Sequence, residues 1–525
     1  MDLSGPQSNK GEIRPASNTS KEARFAGRWV LAATIIGSSM AFIDGTAVTV
    51  VLPVLQTELN ATVVGVQWVI EAYTLFLAAL ILVGGAMGDQ FGRRRIFAIG
   101  VALFAAASVW CGLAAGVRQL IVARAVQGVG GALLVPGSLA IISASFDEAR
   151  HGRAFGTWSG FTAITAALGP VLGGWLVENF SWRWIFFINA PLALIVIAIL
   201  FWRVPESRNE EAHRRLDWQG ATLATIGLGT IVYGLIESAN LGLKHPVVLG
   251  ALAIGVFGLI AFIRVEARSR EAMMPLDLFR SRTFSGANLL TLFLYSALGA
   301  SMFFFPFNLI QVQGYSPTAA GAAFLPLILI IFLLSRWAGG LVDRYGARLP
   351  LVVGPVIAAA GYILLAGPGI GGSYWMTFFP GVVVLGLGMA ISITPLTAAV
   401  MGAVQLRQAG LASGINNAVA RTAWLLSIAV MGILVLQIFN IGLDNRLATL
   451  EIPMETRQTL DGQRIKLAAA EIPPGINNKL RAALQHAVAE SFVTSFRWVM
   501  FISAALTLAS AFSALLTIEG KRKER

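Results

Sequence analysis

Long apolar runs separated by short polar segments cover almost the whole chain. A helix needs roughly 20 apolar residues to cross the hydrocarbon core of a bilayer. The pattern therefore predicts an all-α polytopic membrane protein with fourteen transmembrane helices. The candidate spans are residues 28–54, 67–88, 96–115, 120–142, 156–177, 184–202, 218–237, 246–264, 284–309, 317–340, 349–367, 375–399, 410–438 and 495–517.

Composition agrees with lipid as the main solvent. Of the 525 residues, 56% are hydrophobic and only 13% are charged, and the mean hydropathy of +0.72 is unusual for a water-soluble chain. The net charge of +12 comes from loop arginines and lysines rather than from a basic domain, so we expect no nucleic-acid partner. A single cysteine, Cys111, and four scattered histidines predict neither an intramolecular disulfide nor a metal site.

Basic residues favour one side of the membrane. With the amino terminus inside, the short inner loops hold most of the arginines and the short outer loops hold few, as the positive-inside rule requires. This asymmetry predicts a multi-pass protein of the cell (inner, cytoplasmic) membrane with both termini cytoplasmic. The inner-loop arginines are Arg93, Arg94, Arg95, Arg150, Arg153, Arg203, Arg208, Arg214, Arg215, Arg264, Arg268, Arg270, Arg280, Arg282, Arg344, Arg348 and Arg407.

The polar segments at the two ends and before the last span are expected to lie outside the bundle. Residues 1–27 contain no apolar run, so we expect a disordered cytoplasmic tail and no cleavable signal peptide. Residues 518–525 form a basic cytoplasmic tail. The segment from about 440 to 494 is expected to be a long outer loop that either carries short surface helices, such as one near residues 480–488, or is a simple connector.

A similar polar string follows the second and the tenth candidate span, which indicates an internal repeat. The repeat predicts two six-helix halves, residues 28–203 and 284–517, and a linker at 204–283 with two additional transmembrane helices that are central in the sequence. Carriers built from two such repeats bind substrate between them near the midplane. The repeated residues are Gly85, Asp89, Gly92 and Arg93 in the first string and Gly339, Asp343, Arg344 and Gly346 in the second.

Three further stretches complete the pattern. The first span ends with Asp44, Thr46 and Pro53, the fourth contains Arg124, Gln127, Gly128, Gly130 and Gly131, and the fifth contains Gly160, Gly169, Pro170, Gly173 and Gly174. With the repeated loops, they resemble the motifs of the major facilitator superfamily, and fourteen spans resemble its drug:proton antiporter branch of multidrug efflux. Thr49 departs from that branch, which usually has asparagine there. The resemblance implies the major facilitator fold, and it associates the glycines of the fifth span with helix packing in antiporters.

The repeated loops are candidates for a gate. Asp89 can pair with an arginine or accept hydrogen bonds from a helix amino terminus, and such contacts can form in one transporter state and break in another. We therefore predict a gating role for the two loops, with Asp89 and Arg93 as its main residues. In the alternative interpretation, Arg93 to Arg95 only fix the topology.

Among the charged residues inside the apolar spans, where each is costly unless it is paired or hydrated, three stand out. At 1.5 Å per residue, Asp44 lies about 24 Å from Arg28 along the first span, and Glu71 lies about 27 Å from Asp89 along the second. Arg124 enters near the outer end of the fourth span. The three residues are therefore expected to share one outer layer and to couple transport to protons. Two alternatives remain: Glu71 lies among hydrated headgroups, or Arg124 is a fixed counter-ion.

Other polar residues are candidate substrate contacts. Arg124 and Gln127 lie on one face of the fourth span by their spacing. Asn416, Asn417 and Arg421 lie on the thirteenth span, with Arg421 near the midplane. The predicted contacts are Gln127, Asn416, Asn417 and Arg421, although structural pairing of Arg421 is an equal alternative.

The leading hypothesis is a proton-coupled secondary active transporter that exports small amphipathic or cationic compounds by alternating access. The chain has no phosphate-binding loop for ATP, so we expect no enzyme activity and no cofactor, with the proton gradient as the energy source. The expected partners are the lipid bilayer, a small-molecule substrate and protons; a periplasmic adaptor protein is left open. Export or import of a metabolite or lipid is an alternative on the same fold, and a non-transporting receptor or scaffold is a remote one.

Overall fold

The computed structural model describes residues 17–146, 148–208, 217–269, 272, 274–405, 408–473 and 475–519. Fourteen of its helices are long and apolar enough to cross a membrane, which confirms the predicted number. We number them α1 to α14. They are Ser17–Glu58, Val63–Phe91, Arg93–Gly112, Val117–Ser145, Glu148–Asn179, Trp184–Arg203, Trp218–Leu241, Pro246–Arg268, Arg282–Phe307, Pro317–Val342, Arg348–Ala366, Phe379–Gly402, Ala409–Leu447 and Asn478–Thr517.

Several helices are locally irregular. In α6 the helix is interrupted at Ile188, and α9 continues into a π-helical turn at Asn308–Val312. In α10, a short helix Pro317–Ala322 precedes the longer helix Leu325–Tyr345. Because consecutive spans alternate in direction, the carboxyl ends of the even-numbered helices α2 to α14 share one side. We call this side the arginine-rich face, after Arg93 to Arg95, Arg203, Arg264, Arg268, Arg280 and Arg344, and the other side the opposite face.

The repeated loops have matching backbone geometry. Gly92 ends α2 with φ 109°, and Gly346 ends the helix of α10 with φ 76°. Side chains rarely adopt such positive φ angles, so glycine is favoured at both turns. The chain therefore makes a similar glycine turn after the second helix of each half, in line with the internal repeat that the sequence predicts.

Glycines hold the helices of the first half close together. A methyl group on Gly84 or Gly128 would overlap a backbone carbonyl of the neighbouring helix, that of Ala132 or of Tyr73, where α2 and α4 pack. Gly130 approaches the backbone of Phe104 in the same way between α4 and α3. Small residues at helix crossings are the usual basis of packing in membranes, where van der Waals contact replaces the hydrophobic effect.

The second half follows the same principle with a larger aromatic core. Gly361 and Gly388 bring α11 and α12 into backbone contact. Phe303, Phe304 and Phe307 of α9 are all buried and pack against one another with ring centroids 4.8–6.5 Å apart. These rings therefore belong to the packed interior.

The two helices between the halves lie at the edge of the bundle. α7 packs against α8 and also contacts α2 and α13. On α8, Phe257 is 70% exposed and Ile260 is 41% exposed. The outer surface of α8 is therefore a lipid-facing apolar surface, as expected for a helix added beside two complete halves.

Two segments are more helical than expected. α1 extends back to Ser17, into the segment 1–27 that was predicted to be disordered. α13 continues to Leu447 and α14 begins at Asn478, so residues 480–488 belong to a transmembrane helix and the prediction of a separate surface helix there was wrong. Long helices protrude beyond the bilayer when tertiary contacts support them, and hydropathy alone does not record such extensions.

The remaining connection between α13 and α14 covers part of the opposite face. It contains a helix Met454–Gly462 and a 3₁₀ helix Arg464–Ala469. Leu460 of the first helix and Leu467 of the second are buried. Gln56, near the end of α1, donates a hydrogen bond of 3.0 Å to the carbonyl of Lys466, so the connection is fixed to the first half.

Substitution of Gly84 by alanine should destabilise the protein, because the new methyl group would overlap the Ala132 carbonyl. Overpacking of this kind typically costs about 1–3 kcal/mol. Thermal unfolding of the purified protein, monitored by size-exclusion chromatography after heating, should show a lower midpoint for Gly84→Ala. Gly250→Ala is the matched control, since a methyl group there meets nothing within 4 Å. Equal midpoints for both variants would contradict the close α2–α4 contact.

Candidate functional site

Asp44 of α1 and Arg124 of α4 form a buried ion pair. The Arg124 guanidinium lies 2.5 Å from Asp44 Oδ2, and both side chains are almost completely shielded from solvent. Gln127 donates a hydrogen bond of 2.9 Å to Asp44 Oδ1, so both carboxylate oxygens have partners. Arg124 also donates to Gln127 Oε1 at 2.7 Å and to the Val69 carbonyl at 3.1 Å. The predicted common face of Arg124 and Gln127 is therefore present, and it points at Asp44.

A second layer of polar groups supports this pair. Ser108 accepts hydrogen bonds from Gln127 at 3.3 Å and from Asn189 at 2.9 Å, and it donates to the Phe186 carbonyl. The ring of Tyr73 lies 4.2 Å below the Arg124 guanidinium, in a cation–π contact. Sequence reasoning missed Ser108 and Asn189. Their only signal was an isolated polar residue within an apolar run.

Glu71 is buried but lies outside this network. Its side chain has no accessible surface, and neither carboxylate oxygen has a hydrogen-bond partner among the described residues. Trp68 and Leu75 lie one turn away on the same face of α2, and they pack against α7 and α13. Arg124 donates hydrogen bonds to Asp44, Gln127 and the Val69 carbonyl, so the structure does not show the sharing of Arg124 by two carboxylates that the sequence suggested.

The first repeated loop contains a local ion pair. Arg93, the first residue of α3, lies 2.8 Å from Asp89 in the last turn of α2, and it also donates to the Ala140 carbonyl of α4. Glu206, just after α6, accepts hydrogen bonds from the backbone N–H groups of Arg94 and Arg95 at 3.0 and 3.2 Å. Glu206 thus caps the amino terminus of α3, a function that the sequence reasoning did not identify. The gating role of Asp89 and Arg93 stays a prediction.

The glycines of the repeated loops differ in their packing. Gly92 is tightly enclosed, since a methyl group there would lie 2.9 Å from the Glu206 carboxylate. Gly85 and Gly339 have only ordinary van der Waals neighbours, whereas Gly84, next to Gly85, makes the close approach to α4. In the second loop, Arg344 lies 5.2 Å from the ring centroid of Tyr345. The side chain of Asp343 lies outside the described part of the structure.

The glycines of α5 form two different contacts. Gly169 and Gly173 pack against Thr46 and Ala47 of α1. Gly174 packs against the backbone of Pro317 in α10, and Gly321 of α10 packs against the carbonyl of Pro170 in return. This second contact joins the two halves near the opposite face.

Gly160 does not share this packing role. A methyl group there would meet no atom of the described residues within 4 Å, so the close helix contact predicted for Gly160 is not present in this structure.

Two of the four predicted substrate contacts are committed to internal hydrogen bonds. Gln127 belongs to the Asp44 network, and Asn416 donates to Asn288 at 3.1 Å and Thr291 at 2.7 Å. Asn417 is exposed and donates only to the carbonyl one turn earlier. The Arg421 Nε is buried without a hydrogen-bond partner among the described residues. Asn417 and Arg421 therefore remain available to a ligand.

The described residues contain no group of three or more histidine, cysteine or acidic side chains that could hold a metal ion. The polar site consists instead of an ion pair between α1 and α4, a separate buried acid on α2 and an arginine on α13.

A model of the Major Facilitator Superfamily matches residues 34–428. The chain belongs to this superfamily. Its fold and its family are those of membrane transporters.

Several superfamily members with resistance functions are similar to this chain. The multidrug resistance protein Stp of Mycobacterium tuberculosis is 35% identical over 77% of this chain and 74% of its own length. The tetracenomycin C resistance and export protein of Streptomyces glaucescens is 31% identical over 94% of this chain and 92% of its own. The puromycin resistance protein pur8 of Streptomyces alboniger is 35% identical over 77% and 80% of the two chains.

Solved superfamily structures share the fold at low sequence identity. A bacterial homolog of the human lysosomal transporter Spinster, in an inward-facing and occupied conformation, matches with a TM-score of 0.65 and 16% identity over 93% of this chain and 96% of that chain. The xylose transporter XylE from E. coli, in an inward-open conformation, matches with a TM-score of 0.54 and 13% identity over 97% of each chain.

Removal of one member of the Asp44–Arg124 pair should be strongly destabilising, because the other charge stays buried without its partner. Such losses are about 3–5 kcal/mol. We expect Asp44→Asn and Arg124→Gln each to lower the thermal unfolding midpoint, and the double variant to recover part of the loss. Asp461→Asn is the control, since Asp461 pairs with Arg464 at a half-exposed site where a pair contributes about 1 kcal/mol or less. Strictly additive losses would rule out an energetic coupling between the two residues.

Proposed function

We propose that this protein is a proton-driven exporter of small amphipathic or cationic compounds, and that Glu71 carries the proton. The main observation is that Glu71 is completely buried with both oxygens unpartnered among the described residues. An ionised carboxylate in such surroundings is too costly, and the side chain keeps its proton instead. Glu71 is thus in the protonated state of a proton carrier in this conformation.

The similarity to resistance proteins supports export. The names of the relatives describe multidrug resistance, puromycin resistance and export of tetracenomycin C. Proteins that confer resistance by transport must move the compound out of the cell, against its gradient. We therefore assign the direction of transport from these relatives, and we assign its energy source, the proton gradient, from the buried acid.

Asp44 receives a different role in this proposal. Both of its oxygens are occupied, by Arg124 and by Gln127, so a proton could bind only after the ion pair opened. The pair instead fixes α1 to α4 at the level of Tyr73 and keeps the Arg124 charge neutralised. The proton is therefore assigned to Glu71, and Asp44 has a positioning role.

Contacts between the halves indicate how the proton could be exchanged. Gln67, one turn before Glu71, donates a hydrogen bond of 3.3 Å to the carbonyl of Ile428 on α13, in the other half. The α5–α10 contact at Gly174 and Gly321 closes the same opposite face. When the halves rock apart there, Glu71 loses its cover and exchanges protons with the outside. In the conformation described here that face is closed and Glu71 is still covered, so release of the proton to the arginine-rich side requires a further movement of α7 or α13 away from α2.

The arginine-rich face is assigned to the cytoplasm by the positive-inside rule. We therefore propose that both termini are cytoplasmic and that the protein lies in the cell membrane. The α13–α14 connection then lies outside. No cofactor has a role in this mechanism, because substrate movement is driven by protons alone.

Substitution of Glu71 by glutamine should abolish proton-coupled export, because the amide imitates the protonated acid and cannot release a proton. The measurement is dye efflux and proton movement in proteoliposomes with an imposed pH gradient. We expect at least a tenfold loss of gradient-driven transport, with an unchanged thermal unfolding midpoint. Glu237→Gln is the matched control, since that carboxylate already accepts hydrogen bonds from Trp68 and Asn240. Wild-type coupling in Glu71→Gln would refute the role of Glu71.

A further inference from the structure

A basic cavity lies between the first turn of α7 and the last turn of α8, on the arginine-rich face. Its volume is about 310 Å³. The charged residues that line it are Asp217, Arg264 and Arg268. The cavity is far from the ion pair of Asp44 and from Glu71, since it lies at the end of the peripheral helix pair.

Its two arginines have no partner among the residues that the structure describes. Arg264 and Arg268 are exposed, and neither forms an ion pair or a hydrogen bond with any other described residue. Other arginines on the same face are paired: Arg93 with Asp89, and Arg280 with Asp277. The spacing of four residues places Arg264 and Arg268 one above the other on one side of α8. They present two adjacent cationic groups.

The acid in the cavity only partly offsets this charge. Asp217 is the N-cap of α7, and its Oδ1 accepts a hydrogen bond of 2.7 Å from the Gly220 N–H. The positive end of the α7 dipole and the negative end of the α8 dipole both lie there, so the helix dipoles largely offset each other. A second carboxylate, Glu266 of α8, lies beside Gly220 but is only 2% exposed, and it accepts a hydrogen bond from the Met274 N–H. The two guanidinium groups are exposed whereas this carboxylate is buried, so the surface that a ligand meets is cationic and favours an anion.

The surface beside the cavity is suited to acyl chains. Phe257 and Ile260 precede Arg264 by seven and four residues, so all three lie on one side of α8. This side is apolar in the middle of the helix and becomes basic where the helix reaches the arginine-rich face. These two side chains are 70% and 41% exposed. Trp218, at the start of α7, is 55% exposed, as is typical of aromatic residues at the level of lipid headgroups.

We propose that this cavity binds the headgroup of an anionic phospholipid, with its phosphate at Arg264 and Arg268 and its acyl chains along Phe257 and Ile260. Basic pockets between transmembrane helices are known to bind anionic headgroups. A free phosphate would use the same two arginines but would gain nothing from the apolar surface. The proposal requires only the membrane placement of α7 and α8, and it is independent of the proposed export and of Glu71.

The test is native mass spectrometry of the delipidated full-length protein, titrated with phosphatidylglycerol or phosphatidylcholine of the same acyl chains. We expect phosphatidylglycerol to bind more tightly. Each of Arg264→Gln and Arg268→Gln should weaken it about fivefold, and the double variant about 25-fold, since a basic residue near anionic lipid contributes about a factor of five. Arg280→Gln is the matched control because it removes the same charge from the same face outside the cavity.

A variant with the opposite expected effect tests the proposal further. Asp217→Asn retains the oxygen that caps α7 but removes the negative charge, so phosphatidylglycerol should bind more tightly. Unchanged binding in the arginine double variant, or an equal loss in Arg280→Gln, would overturn the site. Competition by millimolar inorganic phosphate or glycerophosphate would show a free-phosphate site and would equally contradict a lipid site. Thermal unfolding midpoints of all variants verify folding, and failure of the Glu71 transport test would leave these outcomes unaffected.

Discussion

The low dielectric constant of the bilayer is the constraint on which this structure depends. It makes every unpaired polar group expensive, and the chain responds by pairing Asp44 with Arg124 and by adding Gln127, Ser108 and Asn189 around them. Close helix packing through Gly84, Gly128 and Gly130 brings α2, α3 and α4 near enough to complete this network. Glycine packing and charge pairing therefore support each other.

The two buried acids show how environment separates chemical roles. Asp44 and Glu71 lie on neighbouring helices, and both are completely buried. Asp44 has a partner for each oxygen, which stabilises its charge, whereas Glu71 has none among the described residues, which favours its neutral form. A carrier needs both kinds of group: a permanent pair that holds the scaffold, and an acid whose charge state can change with exposure.

Sequence reasoning predicted the fold more fully than the site. Apolar run length determined the fourteen spans, and the repeated strings around Asp89 and Asp343 indicated two halves, because both signals are local in the chain. Rise per residue gave the depth of Asp44, Glu71 and Arg124 but not their direction around each helix axis. That direction decided that Arg124 meets Asp44, that Glu71 faces α7 and α13, and that Gly160 has no close neighbour. It depends on packing between distant segments, and single-sequence patterns do not contain it.

The cover formed by the α13–α14 connection has a consequence for biosynthesis. Asp44 and Arg124 are 80 positions apart and can pair once the fourth helix has left the ribosome. Gln56 and Lys466, in contrast, are 410 positions apart. Since chains are made from the amino terminus onwards, α1 waits in the membrane for almost the whole of translation before this contact can form. The first half can therefore assemble early, whereas the α13–α14 connection can cover the opposite face only when synthesis is nearly complete.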